Sequence, residues 1–255
     1  MPLWFQGLLT VGLAVALAHL ALFATGRLFP ADDKRSVDNT IISAALGTIG
    51  GAYALLLSFT ISVVWHNYAD TQAIVAREAN AVADLERMSR GFSLPVQREV
   101  QDASRTYMRL TVDEEWELLA EGRSSVRADA SLVELWHVYT EMPPADRSSS
   151  LYSQSLTRLN EIGDNRRMRL LTATESIPTV IVFLLYAGAA VTMTLTCLYA
   201  MKSRRLHRVL LTFLAAILSF GLFLISSLDQ PFGTKLPISP EPLRYVLAHM
   251  QQLEY

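Results

Sequence analysis

Proton, metal and nucleophile chemistry falls to histidines, cysteines and clustered carboxylates, and here these are scattered. The five histidines, His19, His66, His137, His207 and His249, never stand at i and i+4 beside a glutamate, so the helix-borne zinc-protease pattern is absent. There is no GxSxG elbow, no glycine-rich phosphate loop and no dinucleotide fingerprint. One cysteine, Cys197, excludes an intramolecular disulfide and a cysteine-rich metal site. The residues thus point away from an enzyme, and call for no cofactor and no metal.

The densest polar group is Asp113, Glu114, Glu115 and Glu117 around Trp116, with Arg166, Arg167 and Arg169 far downstream. Consecutive acids on a helix cannot all face one ion, so the pattern predicts a solvated face with salt bridges to those arginines, calcium binding being the alternative. A second pattern is a stripe of small residues, Ser43, Gly47, Gly50, Gly51, Ala54, Ser58 and Ser62, with a GxxxG spacing at Gly47 and Gly51. Small residues let helix backbones approach closely in lipid, which makes helix packing at Gly47, Gly50 and Gly51 the first reading. The other is an aqueous pathway along Ser58, Ser62 and His66 at i+4 spacing, with Phe59 and Val63 as an apolar constriction beside it. Trp65 and Tyr68 mark a membrane interface. Asp229, Pro231, Phe232 and Gly233 form a third pattern, read as a helix stop and turn or as an acid at a pore mouth. Four prolines from Pro231 to Pro242 make that tail stiff and non-helical.

The elements that carry these residues follow from the distribution of charge. Of 255 residues 51% are hydrophobic and 18% charged, and 22 Lys and Arg against 24 Asp and Glu leave no basic footprint for nucleic acid. Charge vanishes from Leu3–Thr25, Ile41–Trp65, Ile177–Met201 and Val209–Leu228. About 20 apolar residues in a helix cross about 30 Å of hydrocarbon, so each stretch can span. The first lacks a basic residue ahead of it and outruns a signal-peptide core, so it reads as retained.

Residues 66–176 carry 18 acidic and 13 basic side chains, net −5, in a helical pattern with no period-two run. After Trp65 no Gly or Pro interrupts the chain until Gly91, so the second span should continue unbroken out of the bilayer, one helix from Ile41 to Arg90 of about 75 Å at 1.5 Å per residue. Further helices are expected from Pro95 to near Gly122, with Val96, Val100, Ala103, Tyr107 and Leu110 on one face, from Val126 to Met142, and from about Leu151 to Ser176. Ser176 is the expected N-cap of the third span, with Pro178 in its first turn.

The segments Gly26–Thr40 and Lys202–Arg208 hold seven Lys or Arg, which places them in the cytoplasm and the middle region and C-terminus outside, Arg166, Arg167 and Arg169 being the opposing signal. The expected organisation is a transmembrane hairpin at 1–65, a helical extramembrane domain at 66–176, a second hairpin at 177–228 and a Pro-rich tail at 229–255.

Trp65, the Glu78-Ala79-Asn80 triplet, Glu115-Trp116, the Arg166, Arg167 and Arg169 cluster, the 204–207 loop and Asp229-Gln230-Pro231-Phe232-Gly233 resemble, in this order, the bacterial bestrophin-like family. The resemblance covers roughly residues 40–245, and the Asp-x-Pro-Phe-Gly tail is its most specific piece. It implies kinship with bestrophins, pentameric anion channels whose second helix lines the pore and whose helical extramembrane region lies in the cytoplasm, the side opposite to that given by the cation count. The neck would be the Phe59, Val63 and His66 region.

The sequence thus predicts an all-α protein of the inner (plasma) membrane: four transmembrane helices with a helical extramembrane domain inserted between the second and third. Its partners are the lipid bilayer, copies of itself (a pentamer by resemblance) and inorganic ions. The predicted function is an ion channel, anion rather than cation; the alternative is a membrane-anchored sensor or scaffold.

Overall fold

The computed structural model describes residues 2–28 and 35–252. In chain order the described helices are α1 (Leu3–Leu28), α2 (Arg35–Ser89), α3 (Leu94–Leu110), a π-turn (Thr111–Glu115), α4 (Trp116–Leu119), α5 (Val126–Thr140), α6 (Pro144–Arg147), α7 (Ser150–Thr174), α8 (Thr179–Leu198), α9 (Arg204–Leu228) and α10 (Glu241–Gln252). No strand occurs among the described residues, and α1, α2, α8 and α9 are each long and apolar enough to cross a membrane. A helix satisfies every backbone polar group from within, which is the condition for entering hydrocarbon. At α2 the expected rod is found and is longer at its start, 55 residues, or about 82 Å at 1.5 Å per residue.

One compact unit gathers the chain up to His66 with Ser176–Asp229. Here α1 packs on α8 and α9, and Ala18, Cys197, Leu211 and Ala215 form a buried cluster. Close approach falls on glycines outside the Gly47–Gly51 stripe. The Tyr53 ring fills the space a Cβ at Gly188 would need, and Leu57 lies 3.1 Å from where one would stand at Gly221. Within the chain Gly47 and Gly51 meet nothing, and Gly50 meets Leu46 and Thr192 at ordinary contact distance. The N-cap expected at Ser176 falls instead on Pro178, whose carbonyl takes the first helical bonds of α8 from Ile181 and Val182. Asp229, just past the end of α9, holds the residue before that cap, its Oδ1 accepting from the Ile177 N–H at 2.8 Å. Burial raises the Asp229 pKa, and this bond opposes the rise.

The second unit comprises Asn67–Glu175 with the chain from Gln230. Val75, Val82, Leu85, Val100, Met108, Leu135, Leu159 and Ile162 make its core, all buried. Ser125 caps α5 by accepting from Ala128 at 3.2 Å. On α3, Val96, Val100 and Tyr107 are buried as expected, but Ala103 and Leu110 are half-buried and Ser104 and Met108 lie inside. Two short-range expectations change. Pro143 and Pro144 end α5 but also open α6, Pro144 sitting in its first turn where its missing N–H costs nothing. The tail is non-helical from Pro231 to Pro240, after which Pro242 stands in the first turn of α10, which packs on α3.

Candidate functional site

In the second unit the acidic and basic residues meet in its interior. Glu78 on α2 falls at the phase of Val75, Val82 and Leu85, so the helix that buries those three also buries its carboxylate. On the facing side the π-turn adds a residue to the helix, and the Trp116 N–H bonds the Thr111 carbonyl five residues back. Glu115 then points inward with no exposed surface, while Asp113 and Glu117 stay exposed and Glu114 pairs with Arg127. The solvated acidic face is therefore corrected at Glu115: one acid of the four is interior, and its pairing with arginine is a buried one.

The cations come from α7. Arg169 reaches Glu78 through Nε to Oε2 at 2.7 Å and Nη2 to Oε1 at 3.0 Å, and Nη2 also reaches Glu115 Oε2 at 3.3 Å. Arg166 grips Glu115 in a bidentate fork, 3.1 and 2.9 Å, and reaches Asp129 at 2.7 Å. Such forks are the strong form of the charge-assisted bond. Tyr107 donates to Glu78 Oε1 at 2.5 Å. Burial works against the charge of both arginines, but their carboxylate partners more than offset it and both pKa values rise. Tyr107 is pushed well above the usual tyrosine value, first by burial and then by the Glu78 charge. Two carboxylates against two guanidinium groups leave this interior neutral, with half-exposed Trp116 covering it: Arg169 lies 5.4 Å from its ring centroid, Phe232 meets it edge-on at 5.4 Å, and its Nε1–H bonds the Ile238 carbonyl at 3.2 Å. The paired cluster joins α2, the π-turn and α7 as a structural clamp, although Arg169 Nη1 is buried with no hydrogen-bond partner among the described residues.

The other predicted positions lie elsewhere. Asn80 is exposed, Arg167 is exposed and paired with Asp164 at 3.0 Å, Pro231 is buried, and the Gly233 N–H closes a turn onto the Gln230 carbonyl at 3.0 Å. Tyr107 and Asp129 belong to the cluster without having been singled out as polar partners; Tyr107 reads from its spacing as a core aromatic. Among the described residues no three His, Cys, Asp or Glu side chains group so as to hold a metal ion.

In the first unit α2 has two contrasting sides. Tyr53, Leu57, Thr60 and Val64 are buried, whereas Ser58, Phe59, Ser62, Val63 and His66 are exposed on the single chain, Phe59 at 71%. Gly47, Gly51 and Ala54 continue that open side.

A sequence model described as the bestrophin-like domain matches residues 12–243. Among solved structures, a bacterial bestrophin homologue from Klebsiella pneumoniae is similar with a TM-score of 0.73 at 16% identity, covering 96% of this chain and 97% of its own. Two single-residue variants of the Klebsiella pneumoniae homologue give TM-scores of 0.74 and 0.75 at 15% and 14% identity, each covering 97% of this chain and 98% of its own. At such identity the likeness is one of fold. No curated protein matches the chain.

Proposed function

The chain belongs to the bestrophin-like family, and from that premise we propose that it is a homo-oligomeric ion channel of the inner membrane in which α2 of each copy lines a central pore. The observation that carries this reading is the open side of α2. Ser58, Phe59, Ser62, Val63 and His66 are left uncovered by their own chain, although the opposite side of the same helix is buried. Hydroxyls alternate there with apolar side chains, the composition of a pore wall with a constriction at Phe59 and Val63. No carboxylate stands on α2 between Asp38 and Asp70, so the pathway offers donors without fixed negative charge and favours anions over cations. A pentamer accords with the bestrophin resemblance. Residues 66–176 form the extramembrane domain in this reading, and the cation-rich short segments support a location outside the cytoplasm for it.

Planar-bilayer recording of the purified protein is the test. A conductance with an anion-selective reversal potential is expected, and silence across salts, pH and calcium concentrations would overturn the proposal. A scaffold without conduction is favoured by a different observation, the open Gly47 and Gly51 pair, which suits a dry contact between copies.

A further inference from the structure

A cavity of about 660 Å³ opens in the first unit at the end of the helices where α1 finishes and α9 begins. Its walls divide by chemistry. Leu22, Phe23, Leu198 and Met201 are apolar, whereas Arg27, Arg204 and Arg208 bring three guanidinium groups. None of the three is paired with a carboxylate among the described residues; Arg27 lies 4.9 Å from the Phe23 ring centroid, and the Arg208 Nε donates to the Arg204 carbonyl at 3.3 Å. The N-terminus of the 25-residue helix α9 enters the same space and adds its positive end.

His19 borders the cavity with one nitrogen unspent. Thr212 gives its hydroxyl hydrogen to the Arg208 carbonyl at 2.8 Å, so His19 Nε2, 3.2 Å from that hydroxyl oxygen, is the donor of the pair. The His19 Nδ1 is buried with no partner among the described residues. With the ring hydrogen on Nε2, this nitrogen is an acceptor and calls for a hydroxyl donor rather than a phosphate oxygen.

Guanidinium groups without a carboxylate partner among the described residues, a helix N-terminus and an apolar floor at the end of membrane-spanning helices together fit one ligand chemistry: a phosphate ester carrying hydrocarbon. We propose that this cavity binds the phosphate headgroup of an anionic membrane lipid, with Arg27, Arg204 and Arg208 on the phosphate and the first methylenes against Leu22, Phe23, Leu198 and Met201. Arginine suits the phosphate because its planar fork meets two oxygens at once. Arg205 and Lys202 stand in the same basic segment but do not line the cavity, which separates the site from the general attraction of basic residues to an acidic membrane surface.

The test uses the full chain in detergent. Phosphatidylglycerol, phosphatidylcholine and inorganic phosphate are titrated separately, with retained lipid read by native mass spectrometry and protection by thermal unfolding. Phosphatidylglycerol is expected to bind and stabilise, and the double variant R204Q/R208Q to weaken it roughly thirtyfold, while R205Q leaves it nearly unchanged. Each substitution is at an exposed position, so the variants fold, and their unfolding without lipid verifies this. Equal binding of phosphatidylcholine would overturn the role of charge. Equal protection by inorganic phosphate alone would overturn the lipid as the source of the phosphate, and an equal loss in R205Q would reduce the site to surface attraction.

Discussion

Arg169 and Glu78, ninety-one residues apart, are joined by two hydrogen bonds of 2.7 and 3.0 Å with neither side chain exposed. Placing two charges in an interior costs several kcal/mol each, so the pair is tolerated only because its geometry is good and further partners take up the remaining oxygens. Arg169→Met removes the cation that Glu78 and Glu115 share. A destabilisation of about 3–5 kcal/mol is expected in denaturant unfolding of the detergent-solubilised protein. With Glu78→Leu added, the loss should fall well below the sum of the two single changes. Additive losses would show that the two side chains are not coupled.

Tyr107 and Tyr139, both buried in the second unit, should respond unequally to loss of the hydroxyl. Tyr107 donates to a carboxylate, so Tyr107→Phe should cost about 2 kcal/mol. The Tyr139 hydroxyl is buried and makes no hydrogen bond of good geometry among the described residues, Ser155 being the polar side chain that acts on it, so Tyr139→Phe should cost well under what Tyr107→Phe costs. Thermal unfolding of the two variants side by side checks the contrast.

Those tyrosines also set a limit in alkali. Burial pushes Tyr139 up to about 12, and Tyr107 rises well above its usual value for the same reason, reinforced by Glu78. Above pH 10 the unfolded chain releases phenolic protons that the folded chain keeps, so it binds fewer protons and stability falls as pH rises. The contribution is whole below pH 10 and disappears through pH 12 for Tyr139. Tyr139→Phe should flatten that part of the profile, and an unchanged slope would refute the assignment.

Charge-free runs gave away the four spans, because hydrocarbon tolerates so few alternatives to an apolar helix. The unbroken α2 was equally legible, since nothing after Tyr53 interrupts it before Gly91. The interior cluster was only half legible. Glu78 at the phase of Val75 and Val82 was a visible sign of a buried acid, but the π-turn that selects Glu115 from its neighbours has no propensity signature. Pro242 hid α10, because a proline in a first turn and a proline that ends a helix look alike in sequence. The clash space at Gly188 was invisible, since it depends on which ring comes to lie over it.

That glycine should be intolerant. The Tyr53 ring occupies the volume of a Cβ at Gly188, so Gly188→Val must displace an aromatic side chain or separate α8 from α2, at a cost of about 1–3 kcal/mol. Tyr53→Leu in the same chain should recover part of the loss. The thermal midpoints of the single and double variants decide it; a double variant as impaired as Gly188→Val alone would mean that the ring is not the obstacle.

If Val63 lies in the narrow part of a pore, its size and polarity govern conduction. Val63→Ser should raise unitary conductance several-fold by lowering the barrier to wetting, and Val63→Trp should nearly abolish it. Phe183 on α8 is as exposed on the single chain as Phe59, at 72% against 71%, but stands outside the α2 stripe, so Phe183→Leu should leave conductance unchanged. An equal response at Phe183 would move the pathway away from α2.

Orientation is decided at the C-terminus. The chain from Gln230 belongs to the same compact unit as Asn67–Glu175, and Arg105 on α3 donates to the Met250 carbonyl at 3.3 Å, so a reporter after Tyr255 reads the side on which that unit lies. Seven Lys or Arg in the two short segments predict that alkaline phosphatase fused there is active and that a fluorescent protein fused there is dark. The Arg166, Arg167 and Arg169 cluster weakens as an opposing signal once its pairing is known. Arg166 and Arg169 are neutralised inside the unit by Glu115 and Glu78, and Arg167 pairs with Asp164. If those partners form before insertion is complete, little free positive charge is left to hold that segment in the cytoplasm. The reverse pattern, a bright fluorescent fusion and an inactive phosphatase, would instead put the unit in the cytoplasm as in the bestrophins.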